Sequence, residues 1–205
     1  MKKGAYVDEK IIGLQNFFKK RTSAYDLLAD DIYIRGNVVR FEPFLMFNGK
    51  VKARIPHNFT KMPETIAKIR YISSNRPAVL LSNESYDDNF GFHFLRREDI
   101  QEYTNLDELI DQMQDTVKIH APETVFYDRG SIPLVRADGR WFEYKNFTLD
   151  EETYNLQFLV GTEEYLLVGT FNCRMCFYDE WREPVLKSLG YIEFTGKGEL
   201  KNESR

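Results

Sequence analysis

Cysteine and histidine are scarce in this chain of 205 residues, which has two of the first and three of the second. Cys173 and Cys176 stand too close together to staple a fold, so stability has to come from an apolar core. A reducing compartment, the cytoplasm, is the expected location. His57, His93 and His120 are widely spaced, and a structural zinc site needs about four ligands, which one cysteine pair does not supply. No metal and no other cofactor is expected. Long apolar runs are missing too. Nowhere do about 18 consecutive apolar residues occur, which argues against a membrane-spanning helix. Residues 1–6 carry two lysines with no apolar stretch behind them, unlike a secretory leader.

Charge of one sign is also in short supply. Lys and Arg number 28 against 32 Asp and Glu, a net charge of -4, and no basic run exceeds Lys19-Lys20-Arg21. Phosphate backbones and anionic lipids find little to attract them, so nucleic acid is not an expected partner. The chain has no Gly-x-Ser-x-Gly elbow, Walker A loop, dinucleotide fingerprint or His-Glu-x-x-His helix. A non-enzymatic role is therefore the expectation.

Aromatic residues are abundant at 15%, with 16 Phe and 12 Tyr, and they predict a large aromatic core or face. Ile11, Leu14 and Phe18, widened by Phe17, form one side of an amphipathic helix, and a further helical turn is expected over Tyr25, Leu28 and Ile32. Residues 1–36 thus read as a helical arm, joined through Ile34-Arg35-Gly36-Asn37 to a domain over 37–195, with a polar tail over 196–205. From Phe41 the period changes to two. Two runs, 41–47 and 51–55, flank Asn48-Gly49, a pair suited to a type I′ turn, and predict a β-hairpin. A short helix is expected from Pro63 to Arg70. Strands are expected at 78–81 and 90–95 around the acidic connector 84–89, which reads as a solvated loop.

Leu106, Leu109, Ile110, Met113 and Val117 mark a helix over 106–120, with Thr104 and Asp107 imitating a capping box. Strand-like stretches follow at 124–127, 132–136, 141–147, 154–160 and 165–173, separated by turn signals that include Asp128-Arg129-Gly130. A last helix holds Val185, Leu186 and Leu189, with Trp181 before it, Pro184 in its opening turn and Gly190 at a left-handed C-terminal position. The fold class predicted is α+β, an antiparallel sheet of six or more strands flanked by helices in an α/β/α sandwich.

This order of elements resembles the PsbP-like fold. The hairpin 44–56, Ile69-Arg70-Tyr71 with Asn75-Arg76-Pro77, and Gly169-Thr170-Phe171-Asn172-Cys173 before Trp181 and Pro184 carry the resemblance, which covers roughly residues 41–194. That fold is shared by the extrinsic photosystem subunit, a yeast import protein that binds the GTPase Ran, and bacterial DcrB-type proteins. The resemblance implies a non-catalytic module that binds other macromolecules, an adaptor or chaperone, and it assigns no catalytic residue.

Two sets of candidate site residues follow. Phe17 and Phe18 of the arm, with Trp141 and Tyr144 of an aromatic strand, are candidates for holding a protein partner or a second copy of the chain in a homodimer. Cys173 and Cys176 have the Cys-x-x-Cys spacing of a redox disulfide, beside Arg174 and just before a helix, where a thiolate would be stabilised. They support the alternative of a thiol redox protein or small-ligand enzyme. Against it stands the sheet, which reads as antiparallel where the thioredoxin arrangement needs a βαβ unit. The paired acids Asp30-Asp31, Asp87-Asp88, 150–152 and Glu163-Glu164 lack calcium-loop spacing and read as solvated turns.

Overall fold

The computed structural model describes residues 25–71, 76–100, 105–147 and 151–195. Within them run β1 (Ile32–Ile34), β2 (Asn37–Val39), β3 (Phe41–Met46), β4 (Val51–Pro56), β5 (Thr60–Lys61), helix α1 (Glu64–Arg70), β6 (Val79–Ser82) and β7 (Asn89–Arg96). Then come α2 (Leu106–His120), β8 (Val125–Ile132), β9 (Asp138–Phe147), β10 (Glu152–Gly161), β11 (Tyr165–Arg174), α3 (Tyr178–Leu189) and β12 (Glu193–Phe194).

The main sheet has seven strands in the order β5-β6-β7-β11-β10-β9-β8, every neighbouring pair antiparallel. A three-stranded sheet, β12-β4-β3, and the β1-β2 hairpin stand apart from it. Alternation along the strands splits the side chains between two faces. On one face Phe142, Tyr144, Leu159 and Leu166 pack with Leu106 and Ile110 of α2, while Leu80 packs with Ala67 of α1. On the other, Phe90, Phe92, Tyr154, Phe158 and Phe171 meet Trp181, Val185 and Leu189 of α3 together with Val51, Ala53 and Ile55 of β4. The aromatic excess is spent here. Phe171 lies 4.8 Å from Phe90 and 5.3 Å from Trp181, centroid to centroid, and Phe59 closes on Trp181 at 5.6 Å. Gly169 is opposite Phe158, and a Cβ there would sit 2.0 Å from the Phe158 ring, so the bare backbone is what lets that ring lie across the sheet.

The hairpin expected around Asn48-Gly49 is β3-β4. Asn48 and Gly49 both have positive φ and the Lys50 N–H closes the turn on the Phe47 carbonyl at 3.3 Å, the sign of φ a type I′ turn requires. Helix α2 spans the predicted residues. Its cap is Asn105, whose side chain accepts from the Glu108 N–H, and Thr104 lies outside the described residues. Acids in its first turn and Lys118 and His120 in its last complement the helix dipole.

Several expectations need correction. Ile32 is in a strand, and Ile34-Arg35-Gly36-Asn37 is the turn of the β1-β2 hairpin, because Arg35 and Gly36 both take positive φ and fold the chain back on itself. Residues 1–24 and 196–205, the rest of the arm and the tail, lie outside the described residues. Asp128-Arg129-Gly130 is no turn. β8 runs through it with a bulge between Phe126 and Asp128, which absorbs the irregularity and lets one strand replace two. Trp181 and Pro184 are inside α3, not before it and at its start, and Pro184 leaves the Glu180 carbonyl without its ordinary i+4 donor. Gly190 ends α3 with φ of -66°, a right-handed value, because the chain turns directly into β12 through bonds from Gly190, Tyr191 and Ile192 to the last carbonyls.

Candidate functional site

Two concavities flank the start of β9. The larger, a groove of about 1030 Å³, lies between the β8-β9 connection, the β10-β11 turn and the segment from Gly190 to Thr195. Phe94 and Tyr165 line it and are neighbours across the β7-β11 pair. Their rings stack at 4.9 Å, and Phe47 of the hairpin extends the stack at 5.2 Å. The Lys50 ammonium lies 6.0 and 5.8 Å from the Phe94 and Tyr165 ring centres. Opposite them Val135 is 100% exposed, an apolar side chain that the fold leaves in water. Glu163 and Glu164 border the groove, and among the described residues β12 is an edge strand, paired only with β4.

The second concavity, about 600 Å³, is enclosed by Tyr25 to Leu27, by Ser131 to Pro133 at the end of β8, by Trp141 and by one side of α3. It shares Gly190 and Tyr191 with the groove. Beneath it lies a buried ion pair. Glu143 of β9 is only 1% exposed, and both its oxygens accept from Arg182 Nε at 2.9 Å. Tyr154 donates to the same carboxylate at 2.8 Å, and Arg182 Nη2 reaches Asp128 at 3.1 Å. Burial works against the Arg182 charge, but the bonds and field of Glu143 outweigh it and its pKa ends raised. Tyr154 is raised well above its ordinary value, by burial first and by the Glu143 charge second. Trp141 lies across Gly130, its cross-strand partner, where a Cβ would come within 3.0 Å of the indole nitrogen.

A second polar cluster latches the β1-β2 turn to the connector between β6 and β7. Arg35 donates from its backbone to Glu180 at 2.5 Å and from Nη1 to Asp88 at 3.0 Å, and its guanidinium lies 4.3 Å from the centre of the Phe177 ring. Asp88 is 1% exposed, so the expectation that Asp87-Asp88 is a solvated turn is overturned. Asn83 also donates to Asp88, while Asp87 meets Arg35, Arg70 and Arg174 within 3.6 Å. Arg35 offsets part of the desolvation of Asp88, and the three arginines gather around Asp87.

The aromatic strand divides by alternation. Trp141 lines the smaller concavity, but Tyr144 is on the opposite face under α2, 6% exposed, with its hydroxyl accepting from Gln157 at 2.8 Å and its pKa pushed up to about 12 by burial. Tyr144 therefore offers no surface to a partner. Phe17 and Phe18 lie outside the described residues. Cys173 is buried at the end of β11 and Cys176 is exposed in the 3-10 turn Met175–Phe177. Burial, with the Asp88 charge next, pushes the Cys173 thiol up, the reverse of what a redox thiolate needs. The three histidines sit on separate elements, and no three metal-ligating side chains gather among the described residues. No helix among those residues is long and apolar enough to cross a membrane.

Sequence reasoning missed Glu143, Arg182, Phe94 and Tyr165. For Glu143 a signal existed, since a carboxylate between Phe142 and Tyr144 shares the inward face of Trp141.

An antiparallel sheet with helices α1 and α2 on one face and a closing helix and hairpin sheet on the other is the PsbP-like fold. Particular solved structures share it. The cyanobacterial PsbP (CyanoP) of Synechocystis sp. PCC 6803 has a TM-score of 0.56 at 8% identity, across 76% of this chain and 92% of that one. LpqN of Mycobacterium tuberculosis, a protein involved in cell envelope biogenesis, has a TM-score of 0.53 at 11% identity, across 79% and 94%. A Bacteroides thetaiotaomicron structure reaches 0.50 at 10% identity, across 78% of this chain and 50% of that one. At these identities the likeness is one of fold alone. No protein-family model and no curated protein matches the sequence.

Proposed function

We propose that this chain is a non-catalytic protein-binding module that holds an extended, apolar segment of another protein in the groove beside β12. The observation that carries this reading is the groove's combination of an aromatic wall, Phe94 stacked on Tyr165, with a fully exposed Val135 and a strand edge left open among the described residues. An edge strand supplies backbone hydrogen bonds to an added strand, and apolar recesses beside it select every second side chain. Thr195 donates its N–H to Lys50 across the β12-β4 pair. By strand alternation the Phe194 N–H points the other way, toward the open edge. Glu163 and Glu164 at the border favour a partner segment carrying Lys or Arg beside its apolar residues. The thiol-redox alternative has less support, because its first cysteine is buried with a raised pKa.

Selection of displayed random peptides on the full chain tests the reading. The expected result is a consensus of apolar residues at alternate positions with a flanking cation, whose affinity falls about tenfold or more in Val135→Asp, about 1.4 kcal/mol. Absence of a consensus, or a consensus whose binding ignores Val135→Asp and Phe94→Ala, would sink it.

A further inference from the structure

The smaller concavity and the start of the described chain meet at one residue. Tyr25 lines the concavity and is pinned to α3 there, with Lys187 Nζ donating to its carbonyl at 3.1 Å and lying 3.5 Å from its ring centre. The chain that precedes Tyr25 therefore leaves from the edge of the concavity. The walls are largely apolar, with Leu27, Ile132, Pro133, Trp141 and Leu186 among them. Leu27 and Ile132 are buried, but Trp141 and Leu186 are half-buried and Pro133 is exposed, so among the described residues this apolar surface is only partly covered. A second apolar surface laid over it would remove both from water.

Residues 1–24 lie outside the described residues, and their sequence carries a surface of that kind. At helical spacing Ile11, Leu14 and Phe18 share one side while Lys19 and Lys20 fall on the other, so the stripe can be buried with both charges left in water. Phe18 precedes Tyr25 by seven residues, a reach of about 10 Å at the helical rise or about 25 Å extended. Either is enough to bring Phe18 back over a concavity of about 600 Å³. The tether also decides between occupants. A segment attached beside its site meets it at an effective concentration on the order of millimolar, which the same segment of a second copy in dilute solution does not reach. The groove is a poorer destination, since Tyr25 is not in its lining and the two concavities share Gly190 and Tyr191 alone. Gly130 leaves the Trp141 indole lying against β8, a flat wall for a second ring.

We infer that the chain's own arm docks in this concavity, with the stripe Ile11, Leu14 and Phe18 against Ile132, Trp141 and Leu186 and the Phe18 ring beside the indole.

Fluorotryptophan labelling of the full chain tests it, because the chain has two tryptophans and only Trp141 lines the concavity, Trp181 being in the core. In fluorine NMR the solvent isotope shift of Trp141, read between light and heavy water, is expected to be small and to rise in Phe18→Ala and in Leu14→Asp. The Trp181 resonance is expected to stay in place, which shows that the fold is intact. A nitroxide attached at Lys19→Cys in a Cys176→Ser chain is expected to broaden Trp141, and adding Leu14→Asp to that chain is expected to abolish most of the broadening. In a mixture of nitroxide-bearing chains without fluorine and fluorinated chains without nitroxide, no broadening is expected. An isotope shift of Trp141 that is the same in the unaltered chain and both variants, or broadening that ignores Leu14→Asp, overturns the inference. So does broadening across the mixture, which would give the site to the arm of a second copy. None of these outcomes bears on peptide binding in the groove.

Discussion

Glu143 and Arg182 are 39 positions apart in the chain, yet both carboxylate oxygens lie 2.9 Å from the arginine Nε beneath the smaller cavity. The pair joins β9, next to the edge of the main sheet, to the helix that closes the fold. Breaking one half leaves the other charge buried and alone, which costs about 3 to 5 kcal/mol. Glu143→Ala is expected to lower the unfolding free energy from urea titration by that amount. The double variant Glu143→Leu with Arg182→Met is expected to recover most of the loss, and denaturant titration of the set checks both.

Asp88 predicts a pH dependence. Burial raises its carboxyl above the ordinary 3.8, with the bond and charge of Arg35 pulling the other way. The folded chain then keeps this proton to a higher pH than the unfolded chain does. From 3.8 up to the raised folded value the native state binds more protons, so this group's contribution makes stability fall as pH rises. Asp88→Asn should remove that slope. Urea midpoints of both proteins across the window measure it, and a stability difference that moves the opposite way would mean that Arg35 dominates.

Gly169 tests the packing of the core. A methyl there would meet the Phe158 ring at 2.0 Å, and the ring is buried with no room to retreat. Gly169→Ala is expected to cost about 3 kcal/mol. Gly130→Ala, which needs only a displacement of the half-buried Trp141, should cost about 1 kcal/mol and alter the tryptophan fluorescence. Thermal melts and emission spectra of the two variants separate these outcomes.

The cysteines should differ in reactivity. Cys176 is exposed and Cys173 buried, so a brief pulse of iodoacetamide on the native protein is expected to alkylate Cys176 alone, with Cys173 modified only in denaturant. Intact-mass and peptide mapping reads this directly. Equal labelling of both in the native state would restore the case for a redox pair.

The β3-β4 hairpin and helix α2 were legible in the sequence because their signals are local. A period of two around Asn48-Gly49 and a stripe from Leu106 to Val117 each refer to neighbours in the chain. The strand β8 was not, since Asp128-Arg129-Gly130 has the composition of a turn. Only the pairing with β9, with Gly130 under the Trp141 ring, keeps it extended. Gly190 misled in a similar way, because a glycine after a helix suggests a left-handed residue and the dihedral it adopts depends on where the chain goes next. Of the candidate site residues, Trp141 reaches a cavity and Tyr144 does not. Alternation sets them on opposite faces, but which face would carry α2 was not written in that strand.

Composition and period determined that this chain builds an antiparallel sheet with amphipathic helices against it, because apolar residues at spacings of two and 3.6 have one way each to be buried together. The tertiary structure alone decided which charges leave water and which concavities remain. Arg35 finds Asp88 at a separation of 53 residues and Arg182 finds Glu143 at 39. A buried charge is tolerable only beside its partner, and such a partner, distant in sequence, becomes a neighbour only when the layers close.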